Sequence, residues 1–113
     1  MLTNKKKLKV LIIGYGSIGK KHHNILKKII PEKNIFLLTQ KKINKNSIRS
    51  LKEIKSLNPH YIVISSITKA HYKQILYLEK NFRKKIILVE KPIFEKFHNI
   101  KLKNNKYIVN YQL

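Results

Sequence analysis

Short runs rich in branched and aromatic apolar residues recur along the chain, and each is followed by a polar turn. The runs occupy residues 10–13, 35–39, 61–64, 86–89 and 107–109. They are continuous rather than alternating, which is typical of strands buried on both faces of a parallel sheet. A very short further strand is predicted at Ile48, inside an otherwise polar segment. The pattern therefore predicts a parallel sheet with longer connections between its strands.

These connections carry the spacing of helices. After the first run, apolar residues recur at helical spacing until Pro31, which ends the predicted helix. The apolar positions of this helix are Ile18, Ile25, Leu26, Ile29 and Ile30. A second helix begins with a capping box, because Ser50 and Glu53 can each bond the backbone N–H of the other. This second helix is predicted over residues 50–57, and two further helices are predicted over residues 70–81 and 94–102.

Strands that alternate with helices along the whole chain define the α/β class. We expect an open, doubly wound, mainly parallel sheet in Rossmann order, with right-handed crossovers and helices on both faces, a three-layer α/β/α arrangement. A length of 113 residues corresponds to one domain, and 42% hydrophobic residues can form a small core. We therefore assign residues 1–113 to a single domain.

The first strand ends in Gly14-x-Gly16-x-x-Gly19, which contains all 3 glycines of the chain. In a dinucleotide-binding βαβ unit, the first glycine allows the turn and the second lets backbone approach a pyrophosphate. The third glycine lets the helix pack closely. The N–H groups at the helix start, at Ser17 and Ile18, would face the phosphates, whose charge the helix dipole favours. We predict a dinucleotide site here; the alternative is a tight turn that binds no ligand.

The charge of the chain suggests a different class of partner. A formal net charge of +21 and a pI of about 10.3 are typical of proteins that bind nucleic acid or anionic membranes. However, the lysines are spread along the chain, Arg49 and Arg83 are the only arginines, and Ala70 is the only alanine. AT-rich codons, which encode Lys, Asn and Ile, explain much of this composition. We therefore do not expect nucleic acid to be the specific partner.

Three further features bear on metals and location. The absence of cysteine fits a reducing cytoplasm and excludes a thiolate metal site. His22 and His23 are adjacent, so on a helix they point in different directions, and we predict no metal site. No apolar stretch approaches the length that spans a bilayer, and the N-terminus lacks a signal-peptide cleavage site. We expect a cytoplasmic protein that binds no membrane.

Several motifs occur in an order that resembles one enzyme family. The glycine motif is followed by His22, and Pro59-His60-Tyr61 leads into the third run. Further motifs are Ser65-Ser66-Ile67-Thr68 with His71, then Glu90-Lys91-Pro92, then residues 107–111. Together they resemble the N-terminal nucleotide-binding domain of the Gfo/Idh/MocA oxidoreductases, over nearly the whole chain. Glu-Lys-Pro after a buried strand is the most specific of them.

The resemblance implies an NAD(P)-dependent oxidoreductase that acts on a sugar or cyclitol hydroxyl, with Lys91 as the catalytic residue beside the nicotinamide. A cation there would stabilise a developing alkoxide or relay a proton. Ser65, Ser66 and Thr68 would contact the cofactor, and Glu90 would orient the Lys91 loop. His71 would also lie near the nicotinamide; the alternative for His71 is a histidine on a helix surface.

The chain departs from the family at the end of the second strand. The family commonly has an acidic residue there, which binds the ribose hydroxyls of NAD, whereas this chain has Gln40 and Lys41. A lysine could instead accept the 2′-phosphate of NADP. The departure predicts that both residues contact the cofactor and that NADP is preferred over NAD. Lysines that only reflect the composition are the alternative.

Family enzymes carry a second, substrate-binding domain, and no counterpart of it follows within these 113 residues. We expect a C-terminal substrate domain to be absent or separately encoded, and the chain alone to be inactive. Two other readings stay open, a non-catalytic dinucleotide-binding or interaction module and a basic nucleic-acid binder.

Overall fold

A computed structural model of the chain describes residues 8–90 and 102–110. Within these ranges, one sheet contains β1 (Val10–Ile13), β2 (Ile35–Leu38), β3 (Ser47–Ile48), β4 (Tyr61–Ile64), β5 (Ile86–Glu90) and β6 (Lys106–Asn110). All neighbouring strands are parallel, and their order is β3-β2-β1-β4-β5-β6. The predicted α/β class and the Rossmann-like strand order are confirmed.

The α-helices of the described residues are α1 (Ser17–Leu26), α2 (Ile54–Leu57) and α3 (Thr68–Asn81). Short 3₁₀ turns cover Glu32–Asn34 and Leu51–Glu53. The predicted capping box is present, and Asn58 ends α2 in the left-handed region at φ 48°. Helix α3 begins two residues earlier than predicted, so Thr68 is its first residue. Most of the short helix predicted over residues 94–102 lies outside the described residues.

Helix α1 ends at Leu26, and the prediction that it continues to Pro31 is wrong. After Leu26 the chain forms tighter turns, in which the N–H of Ile29 bonds the carbonyl of Leu26 at 2.9 Å. Ile25, in α1, and Ile29, in these turns, are 58% and 53% exposed, whereas Ile30 is in the core. A continuous apolar face from residue 18 to residue 30 therefore does not form.

Side chains alternate between two buried clusters on opposite faces of the sheet. On one face, Leu11 and Ile13 pack with the α2 and α3 side chains Ile54, Ile75 and Leu78. On the other face are Val10, Ile12, Ile35, Leu37 and Val63, together with Leu26 and Ile30 from the α1 segment. Burial on both faces explains why the strands read as continuous apolar runs.

The strand order places β1 and β4 side by side at the centre of the sheet. From β1 the chain proceeds to β2 and β3 on one side, and from β4 to β5 and β6 on the other. In open parallel sheets, ligands bind outside the carboxyl ends of the strands where the order reverses. The carboxyl ends of β1 and β4 therefore mark the position of the candidate site.

Candidate functional site

Gly14 makes the turn out of β1. Its φ is +93°, a left-handed conformation that favours glycine, and its N–H donates to the carbonyl of Leu38 at 2.9 Å. A Cβ at Gly14 would lie 2.6 Å from Cα of Ser66 and 2.7 Å from its backbone nitrogen. Backbone strain and the close approach of the β4 loop therefore both require glycine.

Gly16 and Gly19 differ in the space that surrounds them. A Cβ at Gly19 would lie 2.2 Å from the carbonyl oxygen of Gly14, so α1 packs directly on the turn. A Cβ at Gly16 would meet no heavy atom of the described residues within 4 Å. Gly16 is the N-cap of α1 and provides no side-chain cap, and the first turn of α1 has no acidic residue. At the N-terminus of α1, the positive end of the helix dipole therefore lies beside Gly16, where no side chain of the described residues covers the backbone.

The loop after β4 is held against the glycine turn. The Ser65 hydroxyl donates to the Gly14 carbonyl at 2.9 Å, and the Ser65 N–H donates to the Ile13 carbonyl at 2.9 Å. The Ser66 hydroxyl donates to Oε1 of Gln74 at 2.5 Å. His71 is 1% exposed, and its Nε2 donates to the Ser66 carbonyl at 2.8 Å. His71 therefore supports the loop from inside the protein and is not a helix-surface histidine.

An open cleft of about 420 Å³ lies between the carboxyl ends of β1, β2 and β4. It brings together five of the predicted residues, Gly14, Gly16, Gln40, Lys41 and Ser66. Ser17 and Ile18 lie at the start of α1, which adjoins the cleft, and Thr68 is half-buried at the start of α3. Tyr15, Thr39 and Gln74 also line the cleft and were not predicted. Gln74 could have been noticed in the sequence as a polar residue next to the apolar positions of α3.

At the end of β2 the cleft is basic. The Gln40 side chain donates to the Arg49 carbonyl at 3.2 Å, and Lys41 is exposed. The nearby carboxylate of Glu53 accepts the N–H groups of Arg49 and Ser50, each at 2.9 Å. These two backbone bonds lower the pKa of Glu53 and engage its carboxylate in the helix cap.

At the end of β5, Glu90 is buried and pairs with His22 of α1. The distance from His22 Nε2 to Glu90 Oε2 is 2.6 Å, and the two side chains are 18% and 10% exposed. The resemblance singled out both residues, but nothing in the sequence predicted their contact. Lys91, the predicted catalytic residue, lies outside the described residues.

The adjacent His23 has different partners. Its Nδ1 and the Tyr15 hydroxyl form a hydrogen bond at 2.7 Å, and its Nε2 lies 3.5 Å from a Glu32 carboxylate oxygen. Burial lowers the pKa of His23, against the opposing effect of Glu32. The two histidines therefore attach α1 to separate parts of the molecule.

The fold and the cleft define an α/β protein with a Rossmann-like parallel sheet and a glycine turn at its switch point. No protein-family model, curated protein or solved structure matches the chain. In the described residues, no helix is both long enough and apolar enough to cross a membrane.

Proposed function

We propose that this chain is the NAD(P)-binding domain of an oxidoreductase. The observation that carries the proposal is that the three glycines at the switch point differ in whether a contact within the protein requires them. Gly14 and Gly19 are required by backbone contacts, whereas no contact within the described residues requires glycine at Gly16. A pyrophosphate bound at the N-terminus of α1 would explain why position 16 is a glycine, because a side chain there would occupy the space of the phosphates.

The residues around the cleft fit the parts of a dinucleotide. The N–H groups of residues 17–19 would bind the pyrophosphate, and Gln40 and Lys41 would bind the adenosine ribose. Ser65 and Ser66, on the other side of the glycine turn, would adjoin the nicotinamide half. When bound, the nicotinamide supplies hydride transfer, and the protein supplies binding and orientation.

The chemistry proposed for the site follows from the resemblance. In the sequence Lys91 directly follows Glu90, the last residue of β5, and ligands of open parallel sheets bind outside the carboxyl ends of the strands. A lysine there would stabilise negative charge on the oxygen of a sugar or cyclitol hydroxyl as it is oxidised. The resemblance implies that a second domain would position the substrate.

Calorimetric titration of wild type and Gly16→Val with NAD⁺ and NADP⁺ tests the proposal. Gly16 has an ordinary φ of −82°, so valine can adopt its backbone conformation, at a cost of up to about 1 kcal/mol for the weaker helix cap. We expect binding by wild type and a loss of at least ~100-fold in affinity for the variant, since the side chain excludes the phosphates. Asn24→Val adds the same side chain at an exposed position of α1 and should bind like wild type. Equal binding by wild type and Gly16→Val would refute the proposal.

We further propose that the cofactor is NADP rather than NAD. Exposed Lys41 supplies a cation at the β2 end of the cleft, no carboxylate is among the described residues that line the cleft, and Glu53, which follows β3, is engaged in a helix cap. Wild type should therefore bind NADP⁺ about tenfold more tightly than NAD⁺, and Gln40→Asp should move the preference toward NAD⁺. Competition titrations at physiological salt measure both ratios. A wild-type preference for NAD⁺ would show that the lysines act only as solvated charge.

A further inference from the structure

The bond between His22 and Glu90 joins the two halves of the sheet. In a doubly wound sheet, each half on either side of the switch point binds one mononucleotide. Here β1, β2 and β3 form one half, and β4, β5 and β6 form the other. His22 belongs to α1, the connection from β1 to β2, whereas Glu90 is the last residue of β5.

The geometry of the pair favours a fixed connection. Glu90 follows Ile86 and Leu88 at alternate positions of β5, and Leu88 packs in the cluster on the α1 face. Its carboxylate therefore reaches α1 from the carboxyl end of the strand. A carboxylate only accepts, so the proton of this bond is on Nε2 of His22, which donates at 2.6 Å. A partly buried bond to a charged acceptor is among the stronger hydrogen bonds in proteins.

We propose that His22 is a positioning residue that holds the carboxyl end of β5, through Glu90, in the geometry that binds the second nucleotide of the cofactor. The inference rests on the proposed function. Helix α1 binds the pyrophosphate, and β5 ends where the second mononucleotide would lie, so the bond sets the distance between two parts of one ligand. The adenylate half contacts only the β1–β2 side and does not depend on that distance.

This arrangement makes a prediction that a merely structural role would not make. Loss of the bond removes one constraint on the end of β5, which stays paired with β4 and β6. Binding of the second nucleotide would then have to fix the position of the Glu90 end, at a cost in affinity. The affinity for the whole dinucleotide should fall, while the affinity for its adenylate half should not. A general loss of stability would instead weaken both ligands together.

The test compares wild type, His22→Leu and His22→Gln in titrations with each dinucleotide and its adenylate half. The probes are NADP⁺ with adenosine 2′,5′-bisphosphate, and NAD⁺ with AMP. We expect His22→Leu to raise the Kd of the preferred dinucleotide about tenfold and to leave the Kd of its half within about twofold. His22→Gln retains an N–H donor and should recover part of the loss. Lys21→Leu, at the exposed neighbouring position, is the matched control and should bind like wild type.

The remaining outcomes each decide the matter. Equal weakening of dinucleotide and half by His22→Leu, or no weakening of either, would overturn the inference and leave the proposed function intact. Equal affinity of wild type for dinucleotide and half would do the same, because the second nucleotide would then contribute nothing. Failure of wild type to bind any of the four ligands would refute the proposed function itself. If His22→Leu does not fold, Glu90→Gln replaces it and should weaken dinucleotide binding alone, by a smaller factor.

Discussion

His23 is buried between the glycine turn and the chain that follows α1. The Tyr15 hydroxyl lies within hydrogen-bond distance of its Nδ1, at 2.7 Å, and Glu32 faces its Nε2 at 3.5 Å. Burial lowers the pKa of His23 from its ordinary value of 6.5, with Lys27 adding to the effect and Glu32 opposing it. The neutral imidazole is therefore part of the folded structure.

This residue predicts a pH dependence of stability. Because the folded pKa is below the unfolded value of 6.5, the unfolded chain gains a proton first as the pH falls. The contribution of His23 is thus fully retained above about pH 7.5 and is lost below pH 6.5 until the folded pKa is reached. Urea unfolding at pH values between about 7.5 and 5.5 should show a smaller decrease in midpoint for His23→Gln than for wild type. Parallel decreases in both proteins would contradict this account of His23.

The glycines and His23 differ in how far the sequence predicted them. The spacing of Gly14, Gly16 and Gly19 after a buried strand predicted the turn, and backbone contacts in the structure require glycine at Gly14 and Gly19. The partners of His23 and of His22 could not be predicted in the same way. The His22–Glu90 contact joins residues 68 positions apart in the chain. The His22–Glu90 pair depends on how side chains of distant elements meet, which local patterns do not encode.

At the scale of elements, the attachment of β6 depends on α3. The Glu79 carboxylate of α3 is buried and accepts the backbone N–H groups of Lys103 at 2.8 Å and Asn104 at 2.7 Å. It also accepts the Tyr107 hydroxyl at 2.9 Å. Despite the opposing effect of burial, these bonds lower the pKa of Glu79. One carboxylate therefore fixes both the approach to β6 and the strand itself.

Replacing Glu79 should release β6 before the rest of the sheet. Glu79→Leu keeps the volume but leaves two backbone N–H groups and a hydroxyl without their acceptor, which should cost about 3 kcal/mol. Amide hydrogen exchange should accelerate at residues 106–110 more than at residues 10–13, because β6 is at the edge of the described sheet. Lys80→Leu changes the exposed neighbouring position and should have little effect. Uniform acceleration across the sheet would show that Glu79 does not hold β6 specifically.

Strand existence was the most predictable property of the elements, and helix length the least. Every predicted strand is present, and the buried apolar runs of β1, β2, β4 and β5 explain why these four were predictable, whereas β3 and residues 106–109 of β6 are half-buried or exposed. The predicted length of α1 was wrong because Ile25 and Ile29 have the spacing of a buried helical face but are exposed. Lysine and isoleucine are so frequent in this chain that apolar spacing at the surface can imitate a buried face.

At the scale of the whole molecule, the acidic side chains are few, and most of those described accept hydrogen bonds from the protein. The chain has 5 Asp and Glu residues against 26 Lys and Arg. Three of the four glutamates of the described residues accept hydrogen bonds from groups of the protein, and Glu32 is exposed. Glu32 lies beside His23, Glu53 caps a helix, Glu79 holds β6 and Glu90 bonds His22. The excess of positive charge therefore favours a polyphosphate ligand over a long range, and this attraction weakens as salt is added.

Mapping by NMR tests most directly whether the glycine turn, rather than the general positive charge, binds the ligand. Labelled wild type and Gly16→Val are titrated with NADP⁺ at about 0.15 M salt, where long-range attraction between exposed charges is largely screened. The proposal predicts saturable shifts of the backbone amides at residues 14–19 and 65–66 in wild type, and their loss in the variant. It would be contradicted by no saturable shift at these amides, or by small shifts spread over exposed lysines that are the same in both proteins.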